Sequence, residues 1–384
     1  MCKANLILKF CFCSTVALML FSCKDPVNKA ALNLKGVNAS EVLKDSFWVD
    51  CPDVSTLPAE FRNGYILLND RSIPGSIALF DTKGNLVWSA VAKDEGFKVV
   101  RYTQNKSLLC ITGTKDYEVG YGNGILEFQL NGDTLCNLKM GGGALTKPLH
   151  HDILLNSRNE IVILVQEEKI LDLTRYGGSR QDTVYGDAIQ VLDRKNRPIW
   201  KWSVFDVLDP LADSGIMKNK KDWMHANSIA IDDKNNFLVS FYNRGQVWNI
   251  DAVTGKVLWK FGRNGDFKIP GHLYFDNAHS IHLNKHGDLM LFDNGTSIGV
   301  SRTLAYTFPN GLDEVKATLN VRIPPPLFTD RMGSSYLIGD SSLLVCASKH
   351  KLVMLTNLNG KVLWQLHNKR FVSYRATFIP GSML

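Results

Sequence analysis

One device recurs six times along this chain of 384 residues and limits its fold more than any other feature. A polar turn leads into Gly-x-x-apolar, often ending in Trp. The instances are Gly84-Asn85-Leu86-Val87-Trp88, Gly132-Asp133-Thr134-Leu135, Gly255-Lys256-Val257-Leu258-Trp259 and Gly360-Lys361-Val362-Leu363-Trp364. Asn196-Arg197-Pro198-Ile199-Trp200 fills another slot without the glycine, and Gly311 marks a weaker one. Positions 84, 132, 196, 255, 311 and 360 lie 48, 64, 59, 56 and 49 residues apart. An apolar, strand-like signature is interleaved with them. It reads Tyr65-Ile66-Leu67-Leu68, Leu108-Leu109-Cys110, Ile161-Val162-Ile163-Leu164, Phe237-Leu238-Val239, Leu289-Met290-Leu291-Phe292 and Leu343-Leu344-Val345. That again makes six.

Six copies of a unit of roughly 50–60 residues, each a set of short strands with turn punctuation, predict an all-β, six-bladed β-propeller. Helical periodicity over long windows is nearly absent, which excludes helical solenoids and βαβ folds. A β-sandwich would show strand spacings of about 8–12 residues without the longer period. The propeller is expected over residues 60–384, with 23–59 a tether and lead-in strand. The Trp that ends each turn motif should pack between blades. Composition agrees: 45% hydrophobic, 21% charged, 30 Gly and 13 Pro describe a globular chain, not a disordered, collagenous or coiled-coil one. The net charge of +7 is spread along the chain without a Lys/Arg block, so no nucleic-acid partner is expected.

Residues 1–22 read as a signal peptide outside the fold. Lys3 and Lys9 precede an uncharged run from Phe10 to Phe21, too short to span a membrane, and Leu20-Phe21-Ser22-Cys23 closes the segment. A Cys directly after Leu-x-Ser resembles the lipobox of bacterial lipoproteins. That resemblance implies a lipid on Cys23, a bilayer partner through this anchor, and an outer-membrane location facing the periplasm or the exterior. No second long apolar run follows. Cys51, Cys110, Cys136 and Cys346 then remain, with no C-x-x-C pair or metal-type spacing. An oxidising location permits disulfides, whereas the apolar runs around Cys110 and Cys346 favour buried thiols.

Seven of the nine histidines fall between residues 150 and 286. Three stand just ahead of alternating strands in successive repeats: His150-His151-Asp152-Ile153-Leu154-Leu155, His225-Ala226-Asn227-Ser228-Ile229-Ala230-Ile231 and Ala278-His279-Ser280-Ile281-His282-Leu283. Aligning Ile153, Ile229 and Ile281 puts His151, Asn227 and His279 at one repeat position. His225, two residues earlier than Asn227, projects to the same side. The innermost strand of each blade runs along the central channel, so these side chains should converge on one funnel. His282 alternates away from His279 and should pack between blades, and His272, His286, His350 and His367 occupy turn-like stretches.

These residues resemble the bacterial aryl-sulfate sulfotransferases, six-bladed propellers that move a sulfuryl group between phenols without a nucleotide donor. The matching stretches are His150-His151-Asp152, Asp222-Trp223-Met224-His225-Ala226-Asn227-Ser228-Ile229, Thr254 to Gly262, Ala278-His279 and Phe292-Asp293-Asn294-Gly295. Ser301-Arg302 and Tyr374-Arg375-Ala376 look like later landmarks, and the likeness covers roughly residues 60–380. It implies that His279 is the nucleophile of a sulfohistidine intermediate. His151 and His225 would hold the sulfuryl oxygens, with Asn227, His150 and Tyr374 binding substrate. The family places an arginine in the strand after the D-W-x-H-x-N-S element. Counting back from Ile250 puts Tyr242 at that slot, and Arg244, two residues on along the same face, is the cation available for the role. The stretch before the propeller is too short for the extra N-terminal β-domain of some members, so a lid would come from loops.

The implied chemistry suits these groups. Sulfuryl transfer resembles phosphoryl transfer, with a loose transition state whose charge spreads over equatorial oxygens. A neutral imidazole is a competent nucleophile, and two half-reactions in one pocket give ping-pong kinetics. Expected partners are a phenolic sulfate donor and a phenol acceptor, with no cofactor and no metal. Three readings compete: a zinc hydrolase on the same imidazoles, a non-catalytic ligand-binding propeller, and a quinone-dependent dehydrogenase. No zinc motif supports the first, the histidine cluster speaks against the second, and six blades are too few for the third.

Overall fold

Each repeat folds into one antiparallel sheet, and the six sheets form a ring, a six-bladed β-propeller. The computed structural model describes residues 46–384 apart from 52, 309–314 and 371. Residues 1–22, Cys23, most of the tether and the Gly311 turn lie outside the described residues.

Blade 1 holds Gly64–Asp70, Gly75–Asp81 and Leu86–Ala92, and blade 2 holds Gly96–Tyr102, Ser107–Gly113, Gly124–Gln129 and Thr134–Lys139. Blade 3 comprises Leu149–Leu155, Ile161–Leu171, Asp182–Leu192 and Pro198–Ser203, with the short strand Tyr121–Gly122 paired to the free side of the first. Blade 4 comprises Ala226–Ile231, Phe237–Phe241, Gln246–Ile250 and Val257–Gly262. Ala278–Leu283, Leu289–Asp293, Arg302–Thr307 and Lys316–Arg322 make blade 5. Ser334–Ile338, Ser342–Ala347, Leu352–Asn357 and Val362–Asn368 make blade 6. Buried aliphatic and aromatic side chains fill the layers between neighbouring blades, as between blades 3 and 4, where Val162, Ile189, Trp202, Ile229, Val239 and Trp248 pack together. Among the described residues no helix is long and apolar enough to cross a membrane.

The ring is clasped at both ends of the chain. Thr377–Pro380 supplies the inner strand of blade 1, pairing Leu67 with Thr377 and Gly64 with Pro380. Phe47–Asp50 adds a fifth, outermost strand to blade 6, pairing Phe47 with Asn368 and Asp50 with Gln365. Phe47–Asp50 is the lead-in strand expected within residues 23–59, and it joins the ring as an edge strand of the last blade while the strands of blade 1 start at Gly64. The reason is physical: this strand covers the otherwise open edge of blade 6. Phe47 also packs on Phe80 of blade 1 with ring centroids 4.4 Å apart. His367, expected in a turn, lies in the outer strand of blade 6 and stacks on Trp48 at 4.7 Å.

The repeated turn joins the third strand of a blade to its outer strand. Gly84, Gly132, Gly255 and Gly360 hold φ of 87°, 94°, 72° and 80°, a region that penalises a Cβ. Asn196 takes the same place at φ 60°, which explains the slot without glycine, since Asn tolerates this region. Tryptophans then join blade to blade. The indole N–H donates to the neighbouring blade's turn from Trp88 to Leu130 O at 2.8 Å, and from Trp364 to Thr82 O at 2.8 Å. In blade 3 this bond comes from Trp202, to Gly255 O at 3.0 Å, while Trp200 packs on Phe237.

Around the channel, the aligned Ile positions are joined in space. Asp152 Oδ2 accepts the Ile229 N–H and Ser228 Oγ accepts the Ile281 N–H, each at 3.0 Å. The inner strands of blades 3, 4 and 5 each lose register with their neighbours beside these residues. Such bulges re-aim side chains. Cys51, Cys110, Cys136 and Cys346 are free thiols, so of the two readings the buried-thiol one describes Cys110 and Cys346.

Candidate functional site

The bulged ends of three inner strands deliver their side chains to one mouth of the channel. The His151 and His225 rings lie 4.8 Å apart, and Tyr242 follows 5.0 Å from His225. His279 is 5.3 Å from Tyr242, and Tyr374 closes the circle at 6.1 Å from both His279 and His151. Five rings from blades 3, 4 and 5 and from the segment leading into the last strand thus surround one space. His150 stands behind His151, with 3.0 Å between their Nδ1 atoms, and Tyr121 covers both.

Beneath the rings lies a buried polar floor. The Tyr374 hydroxyl and Arg375 Nη2 donate to the backbone oxygen of Asn227 at 3.2 and 2.9 Å. The Asn227 side chain donates to Ala278 O at 2.8 Å and leaves its buried Oδ1 without a partner. Asp152, fully buried, takes a forked bond from Arg101 and an ion pair from Arg375 at 2.9 Å. Burial would raise this carboxyl, but the two guanidinium groups hold it below the usual range.

Three histidines of the circle are set apart electrically. Burial above all pushes His279 down to about 3 and His151 well below its ordinary value, so both are neutral in neutral solution. His225 goes the other way: burial opposes its charge, but the hydrogen bond from Nδ1 to Asp222 outweighs it and raises the imidazole. One circle thus presents a neutral pair and a favoured cation. His282, lowered by burial to about 4, faces away from the circle and packs on Tyr336 of blade 6 at 4.8 Å.

The tautomer of His279 is fixed by a neighbour. Asn294 Nδ2 donates to Thr329 O at 2.7 Å and Met332 O at 2.9 Å, so its Oδ1 is the acceptor of the pair. His279 Nδ1, 2.6 Å from that oxygen, therefore carries the hydrogen. Nε2 is left with a free lone pair.

Arg244 does not join the circle. Tyr242–Arg244 is a 3-10 turn ending on Gly245 at φ 61°, so strand alternation stops at Phe241. Its guanidinium bonds Asp213 at 2.6 Å and lies over Trp223, while Tyr242 takes the place between His225 and His279. A different guanidinium faces the site. Arg71 lies 4.9 Å over the Tyr374 ring and contacts Met332 sulfur, and among the described residues it has no carboxylate within ion-pair distance. An unpaired cation beside His151 and Tyr374 is arranged to receive an anion.

Arg71 is the site residue that the sequence pattern did not bring out, and it shares its place in the blade with Tyr242 and Asn294. Each is the residue directly after the second strand of its blade, following Asp70, Phe241 and Asp293. The recurring strand signature stops just short of them. Among the described residues no group of three or more His, Cys, Asp or Glu side chains is arranged to hold a metal ion.

The sequence matches the family model described as arylsulfotransferase (ASST) over residues 53–307. No curated protein matches it. Among solved structures, a protein of unknown function from Bacteroides caccae shares 14% identity at a TM-score of 0.51, over 83% of this chain and 99% of that one. A chain of a nidogen/laminin complex shares 11% identity at 0.47, over 83% and 99%. A catalytically inactive virginiamycin B lyase from Staphylococcus aureus shares 9% at 0.41, over 84% and 99%. At such identities a structural likeness extends to the fold alone.

Proposed function

The chain belongs to the arylsulfotransferase family, and from that premise we propose that it moves a sulfuryl group from a phenolic sulfate ester to a phenol through a covalent intermediate on His279. The observation that supports this most is the pinned amide of Asn294, which leaves a free Nε2 lone pair on His279, a member of the circle of rings. Nε2 attacks sulfur in line with the aryl oxygen, the S–O bond breaks, and its electron pair leaves on that oxygen. An acceptor phenol then repeats the displacement and returns the pair to Nε2. The imidazolium of His225 and the guanidinium of Arg71 stabilise charge on the sulfuryl oxygens in both steps, and Arg244 has no part.

The test is an assay with a chromogenic aryl sulfate, with and without added phenol. Product release that requires the phenol supports transfer; release in water alone makes the protein a sulfatase. Donor without acceptor should leave an adduct of about 80 Da (one SO₃), discharged by phenol, and His279→Asn should abolish both adduct and turnover. An adduct on the His279→Asn protein would move the nucleophile elsewhere.

We further propose that residues 1–22 are a lipoprotein signal and that Cys23 anchors the propeller in the bacterial envelope, at the outer membrane. The motif at Leu20-Phe21-Ser22-Cys23 supports this. Cys23→Ala should release the protein from membranes; unchanged membrane retention would defeat the anchor.

A further inference from the structure

A file of three groups runs from the channel mouth into blade 3. His151 Nδ1 is 3.0 Å from His150 Nδ1, and His150 Nε2 is 3.4 Å from Asp187 Oδ1 on the third strand of the same blade. Asp187 and His150 are both buried, and Asp187 Oδ2 has no hydrogen-bond partner. Among the described residues His151 Nε2, at the mouth, has none either. A single proton must lie between the two Nδ1 atoms, because two lone pairs or two N–H groups would repel at that distance.

The position of that proton links the two ends of the file. With Asp187 ionised, the hydrogen of His150 sits on Nε2, 3.4 Å from the carboxylate, and His150 Nδ1 accepts from His151, leaving His151 Nε2 a base. With Asp187 protonated, the carboxyl donates to His150 Nε2 and His150 Nδ1–H donates to His151. His151 Nε2–H is then an acid.

Resting on the sulfuryl-transfer reading, we propose that Asp187 and His150 form with His151 a proton relay that protonates the departing phenolate and later takes back the acceptor's proton. In the first half-reaction the S–O bond breaks as His279 Nε2 bonds sulfur. The His151 Nε2 proton goes to the aryl oxygen, the His150 proton moves to His151, and the Asp187 proton moves to His150. The products are a neutral phenol, the sulfuryl adduct and an ionised Asp187. In the second half-reaction the acceptor's proton enters at His151 Nε2 as its oxygen bonds sulfur. The N–S bond breaks, and one proton returns through His150 to Asp187. Every proton and electron pair is restored after one turnover.

The surroundings suit this traffic. Burial, with Asp222 adding to it, raises Asp187 to about 7, so either state is accessible in neutral solution. Burial lowers His150 to about 4 and keeps it neutral, as a relay that must accept and donate requires. The other titratable groups facing the file are Tyr121, which burial raises, His225 with Asp222 from the loop into blade 4, and His279 and Arg71, whose charges act on His151; Glu118 acts on Tyr121 from the preceding loop.

The experiment compares donors. Phenolates that leave poorly need a proton and those that leave well do not, so a broken relay must steepen the dependence of rate on the leaving group. Asp187→Asn should lower turnover of phenyl sulfate by about 100-fold and that of 4-nitrophenyl sulfate by about tenfold or less. His150→Gln, measured in parallel, should steepen the dependence likewise, and Asp187→Glu should restore much of the phenyl sulfate rate. Equal losses for both donors would show a structural role and overturn the relay, as would unchanged rates in both variants. A wild-type protein with no phenol-dependent turnover of 4-nitrophenyl sulfate would defeat the transfer reading itself, and the relay with it.

Discussion

The outer hairpins and the channel mouth use the same kind of bond over different distances along the chain. At the hairpins, a side-chain oxygen accepts backbone N–H groups two and four residues on. Asp81 does so from Lys83 and Asn85, Asp193 from Lys195 and Arg197, and Asn357 from Asn359 and Lys361. At the mouth, Asp152 accepts from Ile229, 77 residues away, and Tyr374 donates to Asn227 across 147. The backbone differs in the same sense. Left-handed positions at the outer turns are held by Gly84, Gly132, Asn196, Gly255 and Gly360, whereas the mouth forces His151, His225 and Ser280 to φ of 55°, 57° and 54°. Each such residue costs on the order of 1–3 kcal/mol and persists only where its surroundings impose it. A hairpin is therefore complete once its own residues meet, but the mouth exists only after the ring closes.

The sharpest way to break the comparison is through activity. His225→Ala and His151→Ala should each lower transfer by about 10²–10³-fold, the scale for losing one preorganised donor, with the fold retained. Unchanged steady-state rates in both would remove the mouth as the reaction site. The pH profile carries the sign. His279 stays neutral down to about 3, so no acid limb from the nucleophile should appear above that. His225 has a raised pKa, so its imidazolium is complete below the ordinary histidine value and lost as pH rises through the raised one. Asp222→Asn removes the partner and leaves burial in charge, so the alkaline limb should move to lower pH. The same change relieves the charge that helps raise Asp187, which shifts in the same direction. A limb that stays in place would dissociate Asp222 from the reaction.

What was legible in the sequence follows the same division. The five described turns, the interblade tryptophans and the alignment of Ile153, Ile229 and Ile281 were readable because each is set by spacing within one repeat. Equivalence between repeats then places His151, His225 and His279 at one mouth, where their rings and Tyr242 form one circle. Arg244 shows where the rule ends: alternation predicts a side only while the strand continues, and Gly245 turns the chain at φ 61°. Arg71 was invisible for a different reason. Its blade contributes no histidine to the mouth, and only closure of the ring by Thr377–Pro380 sets it beside Tyr374. The edge strand Phe47–Asp50 also depends on closure, with partners more than 300 residues away in sequence.

Stability should separate the two regions by several-fold for one nominal change, the removal of an oxygen that accepts backbone N–H groups. Asp152→Ala takes that oxygen from the mouth and also strips the buried Arg375 and the Arg101 fork of their counter-charge. Breaking a buried ion pair from one side costs about 3–5 kcal/mol. Asn357→Ala removes two bonds, of 3.0 and 2.9 Å, from a turn that water can re-solvate. The loss should be about 1 kcal/mol, read as a small drop in the urea midpoint with an unchanged slope and undisturbed transfer kinetics. The left-handed Gly360 and the Trp364 bond to Thr82 remain to hold that hairpin in place. Asn357→Asp, which keeps the accepting oxygen, should recover the wild-type midpoint. If Asn357→Ala instead cost as much as Asp152→Ala, or lowered transfer, the hairpin would be coupled to ring closure, and its independence from the mouth would be lost.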